Sequence, residues 1–374
     1  MRKIFLFALA LCVTAVWLIS CGSSSKKIIV PAQTSAFSFL QSTSQSGMFA
    51  PVLGKFVTTG GNTQFTATQI VDPSTKQPVT AAFYSMILNN AGDKVTFDLN
   101  GGLDGTSGQW DIWVGKADGT GLVQVTNDSY DDAMPQFSPD GTKVVFISYR
   151  GGGPQNSTGE VVIRNVDGTN EQDLPIPQYV WDMWAPTYSP DGTKIAMYAW
   201  GYDATNTEFA GIMVMDAAHG SNAKLLTDPF SADCFCWDTN PSFTADGTKI
   251  AFQRTNYTSS PHIADIYVMN ADGTGAAKLT DSVGVNSDPL MLTIAGVGER
   301  ILFASNRDNL TADGNGFEIY SMKTDGSGIT RLTNNTLFDG FCTAWSGSSD
   351  SAESVGSALH MQRNVLPPAH GLRW

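Results

Sequence analysis

Phe137-Ser138-Pro139-Asp140-Gly141-Thr142-Lys143 is followed by Tyr188-Ser189-Pro190-Asp191-Gly192-Thr193-Lys194 and by Phe243-Thr244-Ala245-Asp246-Gly247-Thr248-Lys249. A second series, interleaved with the first, reads Asp118-Gly119-Thr120, Asp167-Gly168-Thr169, Asp272-Gly273-Thr274 and Asp325-Gly326-Ser327. Each series steps by about fifty residues, with one copy of the second replaced by His219-Gly220, and this is the spacing of a repeat built from short strands. Glycine after aspartate supplies the positive φ that tight turns need.

The copy from 242 to 280 shows the unit. Ser242-Phe243 leads through the Ala245-Asp246-Gly247 turn into Lys249-Ile250-Ala251-Phe252-Gln253. Asp265-Ile266-Tyr267-Val268-Met269-Asn270 alternates and is rich in strand formers, and Ala277-Lys278-Leu279-Thr280 returns after the next turn. Four strands in about forty residues make one propeller blade. Residues 143–148, 194–198, 249–253 and 300–304 are read as inner strands, with 93–97 a degenerate copy. Residues 111–114, 161–163, 211–214, 265–269 and 318–321 are read as third strands.

The expected fold is therefore all-β: a six-bladed β-propeller, with seven blades the alternative count. Its blades are four-stranded and antiparallel. Residues 55–58 and 63–71 read as further strands around Gly60-Gly61, while Phe341–Trp345 and Ser357–Asn364 echo the repeat near the other end. Exposed sheet edges invite aggregation, so N- and C-terminal strands are expected to share the closing blade.

The repeats resemble those of the TolB-type, WD-like propellers of the bacterial envelope. The resemblance covers about residues 80–345 and leaves no stretch for the N-terminal α/β domain of TolB itself. It implies a channel face that binds a partner protein. Propeller-fronted peptidases and a pectin-fragment lyase carry the same repeat, so the motif specifies fold more than function.

Arg2 and Lys3 precede an apolar run from Ile4 to Leu18, too short to span a bilayer comfortably. Leu18-Ile19-Ser20-Cys21 resembles a lipobox. Residues 1–20 are thus expected to be a lipoprotein signal peptide, Cys21 the lipidated residue, 21–35 a flexible tether, and 36–374 one propeller domain. This predicts an envelope protein, lipid-anchored at the periplasmic face of the outer membrane, and a monomer. The membrane is contacted through the anchor only.

The net charge of −13 argues against nucleic acid and favours basic peptides or cations. Cys234, Cys236 and Cys342 follow Cys21. A bridge within Cys234-Phe235-Cys236 would close a very small ring, so isolated or singly paired structural cysteines are expected. There is no Gly-x-Ser-x-Gly, no His-Glu-x-x-His and no phosphate-binding Gly-rich loop, and the four histidines are scattered.

Candidate site residues lie ahead of the inner strands: Tyr130-Asp131-Asp132-Ala133-Met134-Pro135, Trp181-Asp182-Met183-Trp184-Ala185-Pro186, Cys236-Trp237-Asp238-Thr239-Asn240-Pro241, Asn286-Ser287-Asp288-Pro289 and Phe338-Asp339-Gly340-Phe341. Asp131, Asp132, Asp182, Asp238, Asp288 and Asp339, with Trp184 and Trp237, would either form an acidic, aromatic-rimmed funnel at the channel mouth or cap neighbouring backbone. The funnel would hold an envelope protein or peptidoglycan-associated partner, or Ca2+. The acidic loop from Asp308 to Gly316 is a second calcium candidate, although its spacing is not that of an EF-hand. A binding scaffold is the first functional reading. A divalent-cation-dependent saccharide lyase or hydrolase is the alternative, since aromatic faces stack on sugars.

Overall fold

The Asp-Gly turns are built by the aspartate side chains. Asp140 Oδ1 accepts the Ser138 hydroxyl at 2.6 Å and the Thr142 amide at 3.0 Å, while Gly141 takes φ 66°. Asp191 and Asp246 repeat the arrangement. Bonds from Ser138 and Thr142 hold the Asp140 carboxyl below its ordinary range. Each turn is thus fixed by residues two to five positions apart.

In a computed structural model these turns join strands into six four-stranded antiparallel sheets, among the described residues. Those are 33–42, 49–59, 62–69, 83–100, 108–150, 159–175, 177–229, 234–259, 262–294, 296–308, 316–334 and 339–340. Blade 1 comprises Phe83–Leu88, Lys94–Asn100, Trp110–Lys116 and Val123–Gln124. Blade 2 comprises Asp132–Phe137, Lys143–Ser148, Glu160–Asn165 and Gln172–Asp173. Blade 3 comprises Val180–Tyr188, Lys194–Tyr202, Glu208–Asp216 and Lys224–Leu225. Blade 4 comprises Cys236–Phe243, Lys249–Asn256, Ile263–Asn270 and Ala277–Lys278. Blade 5 comprises Asn286–Ile294, Gly298–Ser305, Glu318–Lys323 and Thr330–Arg331.

Blade 6 closes the ring. Asp339–Gly340 pairs with Gln33–Ser42, which continues to Phe49–Thr59 and Asn62–Gln69. The chain is a six-bladed β-propeller closed by strands from both ends. The first three residues of Gln33–Ser42 fall inside the expected tether of 21–35, because they pair with Thr58, Val57 and Phe56. Gln33–Ser42 also takes the second place in this sheet, the place that the 357–364 echo suggested for a C-terminal strand. Residues 341–345 and 357–364, the expected signal peptide of residues 1–20 and Cys21 lie outside the described residues.

The strands read as inner are the second strands of their sheets. The segments ahead of them are strands themselves and lie innermost, since the first strands of successive blades 1 to 5 touch one another. Proline and a bulge disguised them. Met134, Ala185, Asn240 and Asp288, each directly before a proline, have φ of 58°, 49°, 53° and 54°. The pairing register slips at each of these positions. A left-handed bulge destroys the two-residue alternation by which a strand is recognised.

The core is a set of wedges between blades. Ile112, Val125, Phe137 and Phe146 join blades 1 and 2; Ile147, Val161, Met183 and Met197 join blades 2 and 3. Both faces of the second strands of blades 1 to 5 are covered, so Val144, Val145, Phe146 and Ile147 are all buried.

Candidate functional site

The candidate carboxylates all fall on or beside first strands, but they do different things. Asp131 Oδ1 accepts the Trp110 amide at 3.0 Å, and Asp182 Oδ1 accepts the Gly159 amide at 3.2 Å. Both tie the entry of one blade to the third strand of the blade before it. Asp182 also accepts its neighbour's amide, Met183, at 2.9 Å. Burial nonetheless pushes the Asp182 carboxyl up to about 7, the Gly159 and Met183 bonds offsetting only part of that.

Asp238 is fully buried and gripped by Arg254, whose Nε and Nη2 donate at 2.6 and 2.7 Å. Burial still raises its pKa above the ordinary value, against the pull of Arg254. Asp288 accepts the Asn240 amide nitrogen at 2.6 Å and the Ser287 hydroxyl at 3.1 Å. Its own backbone amide donates to Gln253 Oε1, which is also in reach of Asn240 Nδ2, so these residues link blades 4 and 5 beside the bulges. Asp339 is buried in the closing strand, and its amide donates to the Phe317 carbonyl.

Asp132 differs from all of these. It is fully buried and neither carboxyl oxygen has a hydrogen-bond partner. The Ser148 and Thr126 hydroxyls lie close enough to favour its charge somewhat, but burial dominates and pushes the carboxyl up to about 7. Its nearest cation, Arg150, is drawn away. The Arg150 guanidinium makes paired bonds of 2.6 and 3.0 Å to Glu171, and Glu171 is held down at about 2.

The candidate tryptophans form part of an aromatic column across the seam of blades 3 and 4. Trp184 meets Tyr198 at 5.4 Å between ring centroids, Tyr198 stacks on Trp237 at 5.8 Å, and Trp237 meets Tyr257 at 5.1 Å. Trp184 Nε1, Tyr198 Oη and Trp237 Nε1 are buried without a partner in hydrogen-bond geometry. Buried polar atoms are normally satisfied, so this concentration is unusual. Sequence reasoning missed Tyr198, because nothing in a second strand's pattern marks a hydroxyl that ends up against the next blade.

It also missed a repeated latch. Thr126, Thr227, Thr280 and Thr333 accept the amides of Ile112, Ile212, Ile266 and Ile319 at 2.9 to 3.0 Å. Three of them donate in turn to Asp111, Asp265 and Glu318. The Leu/Val-Thr pairs that end the fourth strands were the available signal.

Cys234 and Cys236 are joined to each other, the pairing the sequence disfavoured. In extended backbone, residues two apart point to the same side, and here their Cα atoms are 5.2 Å apart, within bridging range. Both line a cavity of about 380 Å3 together with Arg254, Asp265 and Lys278. Within the acidic loop, Asp308 accepts the Tyr320 hydroxyl at 2.8 Å; residues 309–315 lie outside the described residues. Among the described residues no group of three or more His, Cys, Asp or Glu side chains is placed to hold a metal.

With repeats, ring and bulged first strands in place, likeness to known proteins is informative. The structure of TolB from Acinetobacter baumannii superposes with a TM-score of 0.58 at 16% identity, covering 82% of this chain and 65% of that one. The chain resembles the TolB-type propellers. The Tol-Pal system protein TolB of Anaeromyxobacter dehalogenans is 26% identical over 140 residues, 35% of this chain and 26% of that protein. An uncharacterised protein of Agrobacterium fabrum is 34% identical over 94 residues, 24% of this chain and 32% of that protein. The chain thus matches no more than about a third of either relative's length. No protein-family model matches it.

Proposed function

We propose that this protein is a cell-envelope scaffold that binds a partner protein through the face where the first strands begin. The observation that carries the reading is the set of unsatisfied buried groups on those strands: both oxygens of Asp132 and the indole N–H groups of Trp184 and Trp237. Such groups tend to persist where function requires them. The tight Asp-Gly turns of the opposite face satisfy their own polar groups and leave little to recognise.

Similarity to proteins named for the Tol-Pal system supports an envelope setting and a protein partner. The charge of −13 favours a basic segment on that partner. The Leu18-Ile19-Ser20-Cys21 sequence supports attachment through a lipid on Cys21.

The test is made in the cell with a photo-crosslinking residue. Placed at Tyr130 or Val283, both exposed beside first-strand entries, it should trap one discrete partner. Placed at Thr142 or Thr248, on the turn face, it should trap none. Equal crosslinking from both faces, or none from either, overturns the reading. In the same strain Cys21→Ser should release the protein from the membrane fraction; retention removes the anchor.

A further inference from the structure

Trp181 is 51% exposed and Tyr179 45%, an unusual display of large aromatic surface at the entry to blade 3. The display is built, not accidental. The pairing register slips between Val180 and Asp182, so Trp181 stands out of the ladder. Tyr179 adopts φ 72°, a left-handed conformation unfavourable for an aromatic residue. Its carbonyl accepts the Tyr202 amide at 3.1 Å. A side chain at Gly201 would begin only 2.0 Å from that carbonyl, so glycine is what lets the segment fold down.

Trp181 is propped from below. Its ring meets Trp200 at 5.7 Å and Tyr202 at 5.1 Å. Trp200 Nε1 donates to Glu208 Oε1 at 2.8 Å, fixing both ring and carboxylate. Beyond Tyr202 the hairpin is locked by Asp203, whose Oδ1 accepts the amides of Thr205 and Thr207, each at 2.8 Å. Rigid rings and carboxylates already in place reduce the ordering needed on binding.

The charge around the rings is uncompensated. Asp216, Asp238, Asp265 and Glu318 each have a Lys or Arg partner. Among the described residues Glu208 and Asp203 have none, although they flank the exposed rings. Aromatic faces beside unpaired carboxylates, on a protein of charge −13, complement a guanidinium or ammonium group. We infer that Trp181, Tyr202 and Glu208 form a docking site for an arginine or lysine side chain of a partner protein. The inference deepens the scaffold reading and rests on it for the partner being a protein, but Trp181, Tyr202 and Glu208 are not among the orphaned groups of the channel strands.

The probe is an acetylated and amidated Arg-Gly-Arg-Gly peptide, titrated onto the whole protein while the tryptophan indole resonances are followed by NMR. The expected result is saturable binding that shifts the Trp181 indole and weakens as salt is raised. Trp181→Ala should lower the affinity roughly 2- to 30-fold. Glu208→Gln, which retains an acceptor for Trp200, should also weaken it, so the test survives if the tryptophan variant folds poorly. Binding unchanged by both substitutions overturns the proposal, as does absence of saturable binding. Binding of chitotetraose as tightly as the peptide also overturns it, since the platform would then be a saccharide site. The crosslink from Tyr130 or Val283 does not depend on these three residues, so loss of peptide binding with that crosslink intact separates failure of this site from failure of the scaffold reading.

Discussion

Asp132, Asp238 and Asn286 occupy matching places at the starts of three first strands, and only their surroundings distinguish them. Asp238 has Arg254; Asn286 Oδ1 accepts Ser305 and Arg307, each at 2.8 Å. Asp132 has Arg150 nearby, but Glu171 holds that guanidinium. An unfolded aspartate titrates near 3.9, whereas buried Asp132 titrates at about 7. Between those values the folded protein holds a proton that the unfolded chain has released. The favourable contribution is therefore complete below about pH 4 and is lost as pH rises through about 7. Asp182 shifts the same way and adds to the loss. Asp132→Asn keeps the neutral form at every pH. It should raise stability by roughly 1–3 kcal/mol at pH 8 and change little near pH 4, as read from denaturant melts. Equal stability of variant and parent at pH 8 would sink this account.

At the scale of the element, the threonine latch explains how a fourth strand of two residues stays attached. Such strands offer few ladder bonds, and in blades 1, 3, 4 and 5 the threonine that follows supplies an acceptor for a buried isoleucine amide. Thr280→Val keeps the shape and removes the acceptor. The Ile266 amide and the Asp265 carboxylate would each lose a partner, at a cost of about 1–3 kcal/mol. Blade 3 provides the contrast, because Gly211 stands where blades 1, 4 and 5 carry an acid, and the one carboxylate near the Thr227 hydroxyl, Asp238, is already gripped by Arg254. Thr227→Val should therefore cost less than Thr280→Val in the same unfolding assay, and the reverse order would contradict the latch. The first strands were harder to read from sequence than the fourth. Met134-Pro135, Ala185-Pro186 and Asn240-Pro241 look like loop, because proline removes an amide and the bulge breaks alternation, yet tertiary packing holds these segments in the ring.

At the largest scale the six described blades form a ring, and most of its apolar wedges are shared by two blades. Its integrity depends on the closing sheet, where Gln33–Ser42 lies between Asp339–Gly340 and Phe49–Thr59. Val52 and Phe56 of that sheet pack against Leu302, Ala304 and Ile319 of blade 5. Deleting residues 33–42 would expose two strand edges and loosen this wedge. Such a variant should melt at a lower temperature and self-associate, seen by calorimetry and light scattering. A monomer with an unchanged melt would show that closure contributes little.

The repeat spacing, strand types and turn chemistry were legible in the sequence, because they rest on contacts between residues two to five apart: Asp140 with Ser138 and Thr142 needs nothing from the rest of the chain. The acidic and aromatic composition of the candidate site was legible for the same reason. Which carboxylate would lack a partner was not. Asp132 is left alone because Arg150 reaches Glu171, and Trp184, Tyr198 and Trp237 meet only because blades 3 and 4 pack together. Those outcomes depend on competition among groups distant in sequence and on burial that only the assembled ring creates.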